Sequence, residues 1–345
     1  MVHEIDSLLD RLGLGTFDWP AATTVIGRND NWLGTTTTGE RVFVKRIVGT
    51  TAEITSGLRR TATFYRIGGP VLTPALLGQD EEAAVQAFRG LDGVRTGEKA
   101  ALDRTFGIDL GEQAGEALAA VHGLDPAPLA ETERALPEQP HEDVFGGISA
   151  ELYTESSQAQ LQAWQLVQQD PVIVKSLAPL EDRSSDVVRT PTHGDLRLDQ
   201  FLIADGGLHL ADWETFRLAD PARDVGSFVG EFLYHAIFRH LTERTRASAR
   251  RVPVPNIVLT ERWKPYREVR PVVEAFWQAY HRARPCPDVA ERAVVFVAWH
   301  LLDRMFIDAL ARPRLDGVGH TLFRVARTIL SAPQRFHAVL GFAHA

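Results

Sequence analysis

The sequence predicts an α+β chain of two unequal parts, a small β-rich lobe over residues 1–90 and a larger, mainly α-helical lobe over residues 91–345. Three observations carry that expectation. Residues 23–47 have a strand-and-turn texture, a helical period takes over after the Arg-Gly-Leu-Asp-Gly break at 89–93, and one hairpin pattern lies between helical stretches at 201–213.

In TTVIGRNDNWLGTTTTGERVFVKRI, residues 23–47, a Gly-Arg-Asn-Asp-Asn turn cluster, a threonine run, a Thr-Gly-Glu turn and the alternating VFVKRI spell an antiparallel meander. A helix is expected over 52–67, then two short strands in PVLTPALLG and AAVQAF. Beyond the break, Leu110, Ala114, Ala117, Leu118, Val121 and Leu124 form one apolar stripe in IDLGEQAGEALAAVHGL. Asp109 and Glu112 read as a capping pair for this helix, and Gly123 stands where a C-cap glycine would. Residues 125–148, rich in proline, glutamate and histidine, read as a surface excursion, while 149–178 and most of 227–345 return to helical patterning.

Composition narrows the function classes. With 345 residues, 44% of them hydrophobic, the chain can bury a sizeable core. No apolar run reaches the length of a membrane span, and the start MVHEIDSLLDRLGLG is acidic where a signal peptide would be basic, so a cytoplasmic protein is expected. The single cysteine, Cys286, excludes an intrachain disulfide. A formal charge of −8 argues against nucleic-acid and membrane partners, which require clustered positive charge. The twelve histidines show no metal-ligand spacing, and Phe276, Trp277 and Tyr280 read as core.

The chemistry concentrates in THGDLRLDQFLIADGGLHLADWETFRLADPARDV. FLIA and LHLADW, joined by Asp-Gly-Gly, form a hairpin signal with Asp195 and Gln200 before its first strand and Asp212 at the close of its second. A hairpin returns its second strand beside its first, so these groups can share one site. Protein kinases use a loop His-Arg-Asp-x-x-x-x-Asn, followed by an Asp-Phe-Gly whose aspartate binds metal. The order and spacing here are the same.

His193-Gly194-Asp195, Asp212-Trp213-Glu214 and Asp220-Pro221-Ala222-Arg223-Asp224, with Lys45 in VFVKR and the LGEQAGEALAAVHGL helix, resemble the aminoglycoside phosphotransferase and choline kinase-like family. The resemblance implies a bilobal protein-kinase-like fold that uses ATP or GTP and Mg²⁺. It implies Asp195 as the catalytic aspartate, Asp212 as a metal ligand, Gln200 in the place of the metal-binding asparagine, and Lys45 on the α and β phosphates. Gly27, Arg28, Asn29 and Asn31 would belong to a backbone roof over the phosphates. The backbone near Gln86 to Phe88 would receive the base. Asp220 and Asp224 are expected to brace the loop.

Two departures from the pattern are visible. Gln200 is one methylene longer than asparagine, so either the loop sits further back, or a second metal is weak, or Asp199 participates. The segment after Lys45 offers Arg59, Arg60, Thr61 and Thr63 where the family has a glutamate, with Glu53 the only nearby acid.

The acceptor is less legible. From residue 287 onward there are five acidic and seven basic residues, which suits a neutral or acidic acceptor better than a polycation. Gly-Arg-Asn-Asp-Asn-Trp and Leu-Arg-Leu-Asp-Gln-Phe also resemble the kinase subunit of class V lanthipeptide synthetases. That likeness implies phosphorylation of Ser or Thr in a precursor peptide, with lyase or cyclase partner subunits, and an arginine cluster (Arg239, Arg244, Arg246, Arg250, Arg251) that could meet an acidic leader. A small-molecule hydroxyl kinase and a nucleotide-binding pseudokinase scaffold are the alternatives.

Overall fold

Strand alternation builds the first layer. The computed structural model describes residues 2–25, 27–129, 147–181, 187–247, 257–310 and 312–342. Helix α1 (Val2–Arg11) precedes strands β1 (Thr23–Val25), β2 (Asp30–Thr35) and β3 (Arg41–Arg46). Helix α2 (Thr51–Ile67) follows, then β4 (Leu76–Asp80) and β5 (Val85–Arg89). The five strands form an antiparallel sheet in the order β1-β2-β3-β5-β4. Period-2 alternation in β3 sends Val42 and Val44 to one face, where they meet Ile5, Leu8 and Leu9 of α1, and turns Lys45 to the other. The start of the chain, which in sequence stood out only for its charge, is thus an amphipathic helix whose apolar positions close the small core.

Helix α2 starts at a capping box in which Thr50 and Glu53 bond each other's backbone N–H groups. Its C-terminal half belongs to the larger core: Phe64 stacks on Trp213 at 3.4 Å between ring centroids. The small strand β6 (Arg95–Thr96) and helices α3 (Gly97–Leu102) and α4 (Ile108–His122) lead into the large lobe. The N-cap of α4 is Gly107 and no side chain caps it. The expected Asp109/Glu112 pair therefore does not form, and Asp109 instead lies in the first turn, where it faces the positive end of the helix dipole.

Helices α5 (Ala150–Glu155), α6 (Gln158–Gln169) and α7 (Pro171–Glu181) come next; most of the predicted excursion at 125–148 lies outside the described residues. Four short strands then frame the loops of interest: β7 (Thr190–Thr192), β8 (Phe201–Ala204), β9 (Gly207–Leu210) and β10 (Arg217–Ala219). β8 and β9 form the expected hairpin, turning through Asp205 and Gly206 at φ 51° and 75°, the left-handed pair a two-residue type I′ turn needs. β7 pairs with β10, so the hairpin is enclosed between two partners that belong together.

The remainder is helical: α8 (Pro221–Ala247), α9 (Lys264–Arg267), α10 (Arg270–Ala283), α11 (Pro287–Ala309) and α12 (Gly317–Ser331). Asp220 accepts the Ala222 N–H at 2.9 Å and Pro221 opens α8, a cap followed by a proline that needs no N–H partner. Helices α8 and α11 approach closely because Gly226 and Gly230 carry no side chain where they meet Phe296 and His300. Phe276, Trp277 and Tyr280 are buried, as expected of core residues. Among the described residues no helix is long and apolar enough to cross a membrane.

Candidate active site

The pairing of β7 with β10 and of β8 with β9 forces two loops to run side by side. The first, residues 193–200, leads from β7 to β8; the second, residues 211–216, leads from β9 to β10. Three hydrogen bonds stitch them. His193 Nε2 donates to the Ala211 carbonyl (2.9 Å), the Ala211 N–H donates to the Gln200 carbonyl (2.9 Å), and the Thr215 hydroxyl donates to the His193 carbonyl (2.8 Å). Gly194 is required twice over: its φ is 84°, and a Cβ there would stand 2.6 Å from the Thr215 carbonyl oxygen. The expectation that Asp212 returns beside Asp195 and Gln200 thus has a concrete basis in the strand pairing.

Two acids of α8, seven residues apart on one face of the helix, hold the first loop from beneath. Asp224, with no exposed surface on its side chain, accepts the His193 N–H (2.7 Å) and the Gly194 N–H (3.0 Å), and His122 Nε2 lies 3.2 Å from its second oxygen. His122 is held in turn by the Tyr280 hydroxyl at 2.8 Å. Burial would raise the Asp224 pKa, but the hydrogen bond and charge of His122 prevail and hold it below the ordinary carboxylate range. Glu231 accepts the Leu198 N–H at 3.0 Å and binds His300 and Arg304 of α11 at 2.8 and 2.5 Å. It too is held low, with burial overruled first by the His300 hydrogen bond and then by Arg304. Asp220 pairs with Arg292 at 2.7 Å. The bracing expected of Asp224 is what its contacts do, whereas Asp220 caps α8 and pairs with Arg292 without touching the loop in these contacts. Glu231 was not anticipated, although an acid inside the apolar run VGEFL is a cue for a buried, partnered charge.

Arg197 joins Asp195 to Asp199: its Nη1 lies 3.4 Å from Asp195 and its Nε 3.1 Å from Asp199. Asp199 is therefore occupied by Arg197 in this arrangement. Gln200 is nearly buried, and its backbone ties the two loops together.

Lys45 crosses from β3 to the second loop. Its Nζ lies 2.5 Å from Asp212 and 2.8 Å from Glu214, with the side chain only 8% exposed. Burial alone would lower the Lys45 pKa; the two carboxylates raise it above the ordinary value. Burial would raise Asp212, and Lys45 instead holds it low. Asp212 sits at φ 70°, a left-handed conformation in which Asp is among the better-tolerated residues, and Trp213, buried against Phe64 and bonded to Thr73, fixes the turn that follows.

The turn around Gly27, Arg28, Asn29 and Asn31 closes over this group from the sheet. Asn29 donates to Glu214 at 3.1 Å and accepts the Val48 N–H at 3.0 Å, while Asn31 donates to the Asn29 carbonyl at 2.9 Å. A Cβ on Gly27 would meet the Asn31 amide at 2.9 Å. The Arg28 side chain pairs with Glu53, so of the expected roof it leaves only backbone.

The base is expected at the backbone near Gln86 to Phe88. Gln86 and Phe88 lie in β5, which is paired with β3 on one side and β4 on the other, so their backbone groups are spent in the ladders. The Gln86 side chain is buried and donates to Gln79. Where the chain leaves β5, the Gly90 N–H bonds the Arg41 carbonyl. Of the arginine cluster, Arg239 is committed to Glu268 and the Pro265 carbonyl, Arg244 is exposed, the Arg246 side chain is not described, and Arg250 and Arg251 lie outside the described residues.

The two adjoining loops carry Asp212, Gln200 and Asp195, side chains whose oxygens are hard ligands. No group of three or more His, Cys, Asp or Glu able to hold a metal is found among the described residues. Such donors suit a hard divalent cation that completes its shell with phosphate oxygens and water.

Comparison with known proteins gives the fold and the family. The model of the phosphotransferase enzyme family matches residues 27–251. A choline/ethanolamine kinase family protein from Mesorhizobium loti superposes with a TM-score of 0.54 at 16% identity, covering 98% of this chain and 99% of that one. The choline kinase LicA from Streptococcus pneumoniae gives 0.51 at 14% identity over 96% and 99%. An amicoumacin kinase, solved with AMP-PNP, Ca²⁺ and its substrate, gives 0.56 at 13% identity over 96% of each chain. No curated protein sequence matches the chain. The small sheet and large helical lobe are the bilobal protein-kinase-like fold. With that fold and a family match spanning well over half its length, the chain belongs to the phosphotransferase enzyme family and is an enzyme that transfers phosphoryl groups to hydroxyl acceptors.

Proposed function

We propose that the chain transfers the γ-phosphoryl group of ATP or GTP to a hydroxyl of a small polar molecule. In this reading residues 1–90 hold the nucleotide and residues 91–345 the acceptor. The observation that carries it is the ion cluster of Lys45, Asp212 and Glu214 across the cleft, with Asp195 on the adjoining loop. Phosphoryl transfer asks for positioning and charge neutralisation more than for covalent help, and this arrangement supplies both. Asp195 orients the acceptor hydroxyl and takes up its proton, Lys45 neutralises the nucleotide phosphates, and Asp212 with Gln200 would hold Mg²⁺. When bound, that ion neutralises charge on the transferring phosphate.

The small-molecule acceptor is favoured over a precursor peptide on two grounds. Structures sharing the fold include kinases solved with glucosamine and with amicoumacin. Of the arginines offered for an acidic leader, Arg239 is already committed within the chain.

The test incubates the protein with Mg²⁺ and labelled ATP or GTP against amino alcohols, amino sugars and a Ser/Thr peptide. Transfer to a small hydroxyl compound is expected, reduced about 10²- to 10⁴-fold by Asp195→Asn while nucleotide affinity persists. Transfer to the peptide alone would favour the lanthipeptide-type reading. Nucleotide binding without transfer to any acceptor would favour the scaffold.

A further inference from the structure

We propose that Glu214 is the positioning residue for Lys45, taking the part that a helix-borne glutamate plays in protein kinases. This inference rests on the kinase reading above. In protein kinases the strand lysine is aligned by an acid on the following helix, so displacing the helix breaks the pair. Here α2 has nothing to offer. Its one acid, Glu53, is at the far N-terminus, occupied by the Thr50 N–H at 2.8 Å and by Arg28 at 3.0 Å. Where α2 passes the site it presents Gly57, at which a Cβ would stand 3.5 Å from the Glu214 Cβ, and Arg60, which donates to the Glu214 carbonyl at 3.3 Å.

Glu214 fills the space the missing side chain would have used. Its Oε2 lies 2.8 Å from Lys45 Nζ and 3.1 Å from the Asn29 amide, so one carboxylate fixes both the lysine and the turn above the phosphates. It stands two residues after Asp212 in the same short turn, which Trp213 anchors against Phe64. The lysine's alignment is therefore built into the loop that carries Asp212, and α2 bears on it only through the support that Arg60 and Phe64 give that loop.

The test measures binding of magnesium AMP-PNP and of adenosine by titration calorimetry, which needs no acceptor. Glu214→Gln should weaken AMP-PNP about 10- to 100-fold, as loss of a charge-assisted hydrogen bond does, and leave adenosine unchanged because it carries none of the phosphates that Lys45 serves. Glu214→Asp should fall between. In a Lys45→Met background, Glu214→Gln should add nothing, because its effect passes through the lysine. Unchanged AMP-PNP affinity in Glu214→Gln, full additivity with Lys45→Met, or parallel loss of adenosine binding would each overturn the proposal. Wild-type protein that binds AMP-PNP yet phosphorylates no hydroxyl compound would defeat the kinase reading while leaving the role of Glu214 measurable; wild-type protein that binds no nucleotide defeats both.

Discussion

Replacing Asp224 by asparagine tests whether the catalytic loop is held from beneath. Three donors converge on the two carboxylate oxygens: the His193 N–H and His122 Nε2 on one, the Gly194 N–H on the other. Asparagine keeps a single oxygen. If it takes the position shared by two donors, its NH₂ group faces the Gly194 N–H, and a buried donor is left without an acceptor at a cost of about 1–3 kcal/mol. The charge opposite His122 is lost as well, and removing one partner of a fully buried pair costs about 3–5 kcal/mol. Because the two penalties share the same groups they do not add, and the expected loss is about 3–5 kcal/mol in urea unfolding. The phosphoryl-transfer rate should fall about 10²-fold even in the folded fraction, since Asp195 follows the two residues that Asp224 holds. A variant losing less than about 1 kcal/mol, with wild-type transfer, would refute the bracing argument.

Gly194→Ala places a Cβ against the Thr215 carbonyl at a positive φ, so transfer should collapse with a stability loss of at least about 1–3 kcal/mol; an active alanine variant would contradict it. Asp224 and Glu231 both titrate below the ordinary carboxylate value, so their stabilisation is complete above about pH 5 and disappears as pH falls through their folded-state values. Urea midpoints taken from pH 7 downward should show an acid limb that Glu231→Gln makes shallower. Gln86→Leu, by contrast, should leave nucleotide affinity within about twofold and cost about 1 kcal/mol, since its side chain serves Gln79 and its backbone serves the sheet.

The elements with local signals were legible in sequence. Alternation in VFVKRI, the Asp-Gly turn of the hairpin and the apolar stripe of α4 each depend on neighbours in the chain, and each forms as its pattern indicates. Helix α1 was equally available in the spacing of Ile5, Leu8 and Leu9, but Glu4, Asp6 and Asp10 around them give the stretch its acidic character and mask the period. Site residues divide along a similar line. Lys45 and Asp212 stood out by their motifs. Glu214 stood within the Asp-Trp-Glu motif, yet its pairing with Lys45 joins positions far apart in sequence through the docking of the sheet on the loop. The interior place of Gln86 and Phe88 has the same origin: only the strand order shows that β5 is paired on both sides.

The enclosed hairpin has a consequence for how this chain can vary in length. Its tip at Asp205–Gly206 lies at the end of the ladder away from Gln200 and Ala211, where the two loops are fastened together. Residues added at the tip in pairs would lengthen the β8–β9 ribbon outward and leave its base in register. The spacing between the motifs of Asp195 and Asp212 is thus a free dimension of the chain, open to insertion or to a reporter group, whereas one residue added between Gln200 and Phe201 would turn the following side chains onto the opposite face.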